Sequence, residues 1–158
     1  MNFFRRKKEN SLKSFANGTI ILLENVHDNM FSAKLMGEGI AIESSDGKYY
    51  SPADGVVTMV FPTKHALGIK TNKGLELLLH VGIDTVNLKG EGFVSHVDVG
   101  QKVSSGDLLL EADLQLIKEK GYNTESILCI CEPKDLHLSF TDLKTVKAKE
   151  DTIITIES

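Results

Sequence analysis

From Gly18 onward, short apolar segments alternate with turn signals such as Asp46-Gly47 and Asp54-Gly55. Segments of this length and composition, bounded by such turns, are typical of β-strands. Their number and spacing predict an all-β fold, an antiparallel β-sandwich or a partly open barrel. The predicted strands cover residues 19–23, 39–42, 48–50, 55–61, 66–69, 75–79, 92–97, 108–111, 126–131 and 152–156.

One or two short helices complete the predicted fold, and one of them has clear boundaries. Asp113 is a favourable N-cap for a helix over residues 114–120, and Gly121 is a favourable stop. At 158 residues the chain has the length of one domain. We expect this domain to cover residues 17–158 and to follow a flexible tail over residues 1–16.

The predicted tail combines aromatic with basic side chains and lacks the periodicity of a packed element. Its notable residues are Phe3, Phe4, Arg5, Arg6, Lys7, Lys8, Leu12 and Phe15. One interpretation is an ordinary solvated chain end. The other is a weak peripheral membrane contact, in which Phe3, Phe4, Leu12 and Phe15 insert while the basic residues meet anionic lipid.

Charge and composition exclude several classes of partner. The net charge is −4 and the pI is about 5.7, which argues against nucleic acid because its backbone binds basic surfaces. No apolar run approaches the roughly 20 residues of a membrane-spanning helix. Cys129 and Cys131 lack the further cysteines of a tetrahedral metal site. We therefore expect a cytoplasmic protein with reduced, buried thiols, peripheral to the membrane if the tail binds lipid.

Two histidines flank one predicted hairpin, whose strands are joined by Thr71-Asn72-Lys73-Gly74. If Lys70 pairs with Leu75, His65 lies opposite His80. Directly opposed residues have Cβ atoms roughly 4.5 to 5.5 Å apart, so the two imidazoles would share one small patch of surface.

Alternation along the hairpin predicts which side chains are buried. The leucines at positions 75, 77 and 79 are assigned to the core together with Ala66 and Gly68. The outer face then holds Leu67, Leu78 and both histidines. A register shift of one residue would change these assignments, so they depend on the turn.

A pair of surface histidines has three chemical uses, beside the possibility that both are ordinary strand residues. The pair supplies only two ligands to zinc, which normally takes three or four from a protein. As an acid/base pair, the two rings would need pKa values set apart by their surroundings. As a phosphoryl carrier, one ring is the nucleophile while the other donates a hydrogen bond to the phosphoryl oxygens. The neighbouring leucines favour the third use, since they exclude water and offer a docking surface.

The run GLELLLHVGIDTVNLKGEGF, residues 74–93, closely resembles the phosphorylation-site signature of glucose-type enzyme IIA domains of the bacterial phosphoenolpyruvate-dependent sugar phosphotransferase system. The resemblance covers nearly everything from Gly18 to the end. It extends through FSAKLMGEGIAI (31–42), SPADGVV (51–57), TKHA (63–66), VGQKVSSGD (99–107) and the Asp113 helix.

This resemblance implies an antiparallel β-sandwich with His80 as the phosphoryl acceptor. The phosphoryl group would come from phospho-HPr and pass to a cysteine of a sugar-specific enzyme IIB. His65 would support the transfer, and Thr63 would hydrogen-bond His65 and fix its tautomer. The docking surface would comprise Asp28, Phe31, Leu35, Met36, Phe61, Leu78, Asp84 and Val86. Leu78, where an aromatic residue is common, and Glu38 depart from the family pattern, and we expect them to affect partner fit.

The resemblance implies no required cofactor, and its partners are HPr and an enzyme IIB/IIC permease. Zn²⁺ held by His65, His80 and a partner's carboxylate is a further expectation. A regulatory protein that signals to transporters or metabolic enzymes would keep the same histidines, so that alternative stays open. Segments 51–57 and 99–107 also resemble biotinyl and lipoyl carrier hairpins, but a suitable lysine is missing. A zinc peptidase of related architecture would need a His-x-His pair, which the chain lacks.

Overall fold

The structure, a computed structural model, describes residues 9–131 and 136–157. This part of the chain forms many short strands and two short α-helices, α1 (Asn29–Ser32) and α2 (Leu114–Glu119). The strands are β1 (Glu9–Lys13), β2 (Gly18–Leu22), β3 (Glu38–Ser44), β4 (Lys48–Tyr50), β5 (Gly55–Val60), β6 (Ala66–Thr71), β7 (Glu76–Val81), β8 (Phe93–Ser95), β9 (Lys102–Val103), β10 (Leu108–Ala112), β11 (Glu125–Cys131), β12 (His137–Phe140), β13 (Thr145–Val146) and β14 (Thr152–Glu157).

The strands form one large sheet and two small ones, all antiparallel. The eight-stranded sheet has the order β13-β2-β3-β11-β7-β6-β5-β9, and the small sheets have the orders β1-β14-β12 and β4-β10-β8. The main core contains side chains from all three sheets, among them Leu79 of β7, Leu110 of β10 and Ile154 of β14. The predicted all-β sandwich is therefore confirmed, and the sheets pack around a shared apolar interior.

The hairpin β6–β7 has a register one residue away from the predicted one. Ala66, not His65, pairs with His80, and Lys70 pairs with Glu76. The turn explains the shift: Thr71 N–H donates to Leu75 O at 2.8 Å. Only three residues remain in the loop, a length that uses a glycine of positive φ, here Gly74 at +93°.

The shifted register corrects the face assignments on β6 and confirms most of those on β7. Leu77 and Leu79 lie in the main core as predicted, and Leu75 packs against it. Leu67 was assigned to the outer face but lies in the main core. Ala66 lies on the outer face with Leu78, and Gly68, which pairs with Leu78, shares that face. His80 keeps its predicted face because the slip moves β6 and leaves β7 in place.

The predicted boundary of the N-terminal tail is wrong for residues 9–16. Strand β1 pairs with β14, with Leu12 opposite Ile154. Leu12 and Phe15 are buried in the main core, so neither is available for insertion into a membrane. Residues 1–8 lie outside the described part of the chain. The helix that begins after Asp113 is confirmed, because the Asp113 carboxylate accepts the Leu116 N–H at 3.1 Å.

Candidate functional site

The two histidine rings meet on the outer face of the hairpin although they are not directly opposed. His80 lies on β7, and His65 immediately precedes β6. The carbonyl of His65 accepts the Val81 N–H at 2.8 Å, which fixes the backbone of His65 beside the end of β7. The ring centroids are 4.9 Å apart with an interplanar angle of 84°. The predicted closeness of His65 and His80 is therefore present through a different pairing.

Three aromatic rings surround the histidine pair. The Phe31 ring lies 5.0 Å from His80, and Phe61 and Phe93 lie 5.3 and 6.4 Å from His65. His65 is 2% exposed, whereas His80 is half-buried. Phe93 ends the signature run of residues 74–93 but was not among the predicted site residues. The site therefore combines a buried imidazole with an accessible one.

His65 is held as a neutral ring. Its Nδ1 lies 2.7 Å from the hydroxyl oxygen of Thr63, so the predicted contact between these residues is present in the structure. Burial, and secondarily the nearby His80, lowers the pKa of His65 to about 4. At neutral pH the ring therefore carries one proton, on either Nδ1 or Nε2.

His80 lies in a less uniform environment. Burial lowers its pKa, and the Gly82 backbone, Asp28 and Asp84 oppose that effect. Nδ1 of His80 is buried and has no hydrogen-bond partner of good geometry among the described residues. The nearby Gly82 backbone still raises the pKa of His80, because it favours the charged form of the ring. Because Nδ1 is covered, Nε2 is the ring nitrogen that remains for an incoming group.

Asp28 and Asp84 each begin a short helical segment beside the site. The Asp28 carboxylate accepts the N–H groups of Met30 and Phe31 at 2.9 and 3.4 Å and so caps α1, a helix absent from the sequence prediction. Asp84 has a φ of +60° and precedes a 3-10 helix over Thr85–Leu88. Both carboxylates favour a charged His80, which agrees with their predicted place beside the site.

The predicted docking residues divide into buried and exposed groups. Phe31 and Leu78 are buried in an outer apolar cluster, and Met36 and Phe61 pack against it half-buried. Leu35 and Val86 are 71% and 48% exposed. Sequence reasoning missed two further exposed methionines, Met30 on α1 and Met59 on β5.

No metal centre or membrane span appears in the part of the chain that the structure describes. Residues 9–131 and 136–157 contain no group of three or more His, Cys, Asp or Glu side chains that could hold a metal ion. In the same ranges, no helix has the length and apolar character needed to cross a bilayer. Cys129 is a buried free thiol, and burial raises its pKa to about 12.

Comparison with known proteins identifies the family. Residues 10–136 match the family described as phosphoenolpyruvate-dependent sugar phosphotransferase system, EIIA 1. The chain is 45% identical over 142 residues to the glucose-specific EIIA component of Halalkalibacterium halodurans, covering 89% of this chain and 82% of that protein. It is 44% identical to the beta-glucoside-specific EIIBCA component of the same organism, covering 89% of this chain but only 22% of that protein.

A solved structure shares the whole fold. Glucose permease IIA from Mycoplasma capricolum superposes with a TM-score of 0.84 at 35% identity, covering 98% of this chain and 99% of the other. The fold is a β-sandwich with paired histidines on one face, and the relatives are EIIA components. Together they define the class of protein as a phosphohistidine carrier. The chain belongs to the glucose family of EIIA components of the sugar phosphotransferase system and carries phosphoryl groups in sugar uptake. Such EIIA components generally need no cofactor.

Proposed function

We propose that His80 accepts the phosphoryl group from phospho-HPr and donates it to a cysteine of a sugar-specific enzyme IIB. One observation carries this assignment: the half-buried His80 ring lies 4.9 Å from His65 on an apolar face. Water would hydrolyse a phosphohistidine, and an apolar surround of Phe31, Phe61 and Leu78 reduces its access.

The nucleophile is Nε2 of His80, because Nδ1 is buried. The Nε2 lone pair forms a bond to phosphorus as the phosphorus–nitrogen bond of phospho-HPr breaks, and the electron pair of that bond returns to the HPr histidine. In the second step a thiolate of enzyme IIB attacks phosphorus, and the electron pair returns to Nε2 of His80. Asp28 and Asp84 favour the positive charge that the His80 ring gains on phosphorylation.

His65 acts as a donor to the phosphoryl oxygens. In this proposal the Thr63 hydroxyl, 2.7 Å from Nδ1 of His65, is the donor of that contact, so the proton of the neutral ring is on Nε2. That N–H donates a hydrogen bond to the phosphoryl oxygens, which gain negative charge during transfer. Thr63 is a positioning residue in this arrangement, since its hydroxyl contacts the His65 ring and acts through it.

The exposed residues Leu35 and Val86, with half-buried Met36 and Phe61, form the surface on which HPr and enzyme IIB dock. Leu78 is 8% exposed, so it supports the docking surface from below.

Glu38 pairs with Lys34 at 3.4 Å, and this ion pair tunes partner fit at the edge of the site. The same proposal includes an enzyme IIB/IIC permease as the final partner and a cytoplasmic location for the chain. It also includes transporters or metabolic enzymes as regulatory targets.

Zinc is a finer part of this proposal and concerns complexes only. His65 and His80 are two ligands, and the described residues add no third. A partner's carboxylate would complete a site of the kind zinc prefers. A partner affinity that zinc leaves unchanged would remove this idea.

Intact-mass measurement after incubation with phosphoenolpyruvate, enzyme I and HPr tests the assignment. We expect one acid-labile phosphoryl group on the wild-type chain and none on His80→Ala or His80→Gln. His96→Ala is the matched control, because His96 directly follows β8 of a small sheet and its ring pairs with Glu111. Undiminished phosphate on the His80 variants would contradict the assignment.

A further inference from the structure

A buried carboxylate near the histidine pair has a role that the phosphoryl chemistry does not explain. Glu125 begins β11, and its side chain is 7% exposed. Its two oxygens accept the backbone N–H and the ring Nδ1 of His27, both at 2.9 Å. His27 itself is 73% exposed. A buried carboxylate is costly unless such partners satisfy it, so its presence here needs a reason.

The position of Glu125 increases that cost. It pairs directly with Glu43 across β3 and β11, and like charges in directly opposed positions destabilise a sheet. Glu43 is satisfied by the Thr124 hydroxyl at 2.7 Å, which leaves His27 as the partner that compensates Glu125. An apolar residue would have avoided the cost of this pair.

Glu125 lies on the same face as the histidine pair. Ile127, two residues further along β11, pairs with His80, and the carbonyl of Glu125 accepts the Gly82 N–H at 2.9 Å. Its side-chain partner, His27, directly precedes Asp28. Glu125 is therefore hydrogen-bonded to both sides of the site, through its carbonyl to Gly82 and through its carboxylate to His27.

The segment held by Glu125 carries two groups that act on His80. Asp28 favours a charged His80 ring and caps α1, and Phe31 of α1 lies 5.0 Å from that ring. Val26 packs in the outer apolar cluster, so burial keeps the segment near the sheet. The hydrogen bonds to Glu125 also fix the orientation of the segment, because hydrogen bonds depend on angle and apolar contacts do not.

We propose that Glu125, acting through His27, is a positioning residue that holds Asp28 and α1 in the orientation that partners dock against. This role rests on the proposed function of His80. Removing the carboxylate leaves the His27 N–H without its acceptor and loosens Asp28 and α1. The contact between His65 and His80 does not involve Glu125, and Asp84 still favours the charged His80 ring, so the larger part of the loss falls on docking.

The test measures His80 phosphorylation rates over a range of phospho-HPr concentrations, with thermal melting as the control for folding. For Glu125→Ala we expect the apparent KM for phospho-HPr to rise by about tenfold, the scale of one lost charge-assisted hydrogen bond, and kcat to fall by less than KM rises, because Asp84 still favours the charged ring. Glu125→Gln keeps an acceptor for the His27 N–H and should restore most of the KM. His27→Ala keeps its backbone N–H, so its effect should be smaller than that of Glu125→Ala.

Glu111→Ala is the control, since Glu111 also bonds a histidine ring, His96 at 2.7 Å, but lies on β10 of a small sheet. It should leave both constants unchanged. If Glu125→Ala does not fold, Glu125→Met fills a similar volume and makes the same test. A folded Glu125 variant without an acceptor whose KM stays within about twofold of wild type overturns the positioning role. A wild-type chain that is not phosphorylated on His80 instead overturns the proposed function.

Discussion

The two faces of the eight-stranded sheet bury different kinds of side chain, although alternate residues of the same strands supply both. The face toward the small sheets buries aliphatic side chains such as Leu67, Leu77 and Leu79. The opposite face carries a smaller apolar cluster that includes Leu78 and Ile127, together with the two histidines.

The difference shows which face stabilises the fold and which one carries the chemistry. On the outer face, burial lowers the pKa values of both histidines and leaves His80 Nδ1 without a partner among the described residues. Aliphatic side chains there would avoid these costs. The inner face also buries polar groups, but they are satisfied: the Ser126 hydroxyl donates to the Tyr49 hydroxyl oxygen at 2.9 Å. That face therefore contributes mainly through packing.

The largest expected effect separates the faces by stability. Leu79 is 1% exposed in the main core, so Leu79→Ala should lower the free energy of unfolding by about 2–5 kcal/mol. Leu78→Ala, in the smaller outer cluster, should lower the free energy of unfolding less than Leu79→Ala does. It should slow phosphorylation of His80 more than Leu79→Ala does. Urea unfolding and transfer rates measure the two effects. Equal losses of stability would contradict the division between the faces.

The second prediction concerns the pH dependence of stability. The pKa of His65 is about 4 in the folded chain against 6.5 for an ordinary histidine. The unfolded chain therefore takes up a proton first as the pH falls, and folding loses up to about 3 kcal/mol between these two values. Above pH 6.5 this stability is fully present. His65→Gln should show a smaller loss over the same window, and identical profiles for the two proteins would contradict it.

The third prediction concerns transfer from the outer face. His65→Gln should still accept phosphate from HPr, because glutamine donates one hydrogen bond to the phosphoryl oxygens. It cannot gain positive charge, so donation to enzyme IIB should slow by on the order of 10². Single-turnover transfer from the phosphorylated variant measures this rate. Donation at the wild-type rate would show that His65 is dispensable.

The smallest expected effect is weak membrane binding by residues 1–8, which belong to neither face of the sheet. Phe3, Phe4 and the basic residues at positions 5–8 lie outside the described residues, and their weak binding to anionic membranes remains a prediction. Basic residues contribute about 1 kcal/mol each near such a surface, so binding should be reversible and salt-sensitive. Deletion of residues 1–8 should reduce co-sedimentation with anionic vesicles and leave His80 phosphorylation unchanged. Equal vesicle binding would indicate an ordinary chain end.

Local patterns predicted ten of the fourteen described strands and helix α2, whereas β1, β9, β12 and β13 and the pairing across the sequence were less accessible. The register error arose because a four-residue and a three-residue loop both end at Gly74. Helix α1 has four residues, too few for a helical periodicity to appear. Strand β1 was missed because its partner β14 lies at the other end of the chain.

The site was predictable where its members are near in sequence or match the family signature. His65, His80 and Thr63 belong to one hairpin and its approach, and the structure brings them together. Glu125 gave no signal, since its partner His27 lies 98 residues away. His27 is largely exposed, and nothing in its local sequence indicates this contact.

His80 stands on a strand that is hydrogen-bonded along both edges, to β6 and to β11. The backbone of such a strand is fixed, so the imidazole of His80 emerges on one face of the sheet. If His80 carries the phosphoryl group as proposed, donor and acceptor approach that same face and compete for it. We then expect two half-reactions separated by dissociation, and steady-state kinetics should show parallel double-reciprocal lines for phospho-HPr and enzyme IIB.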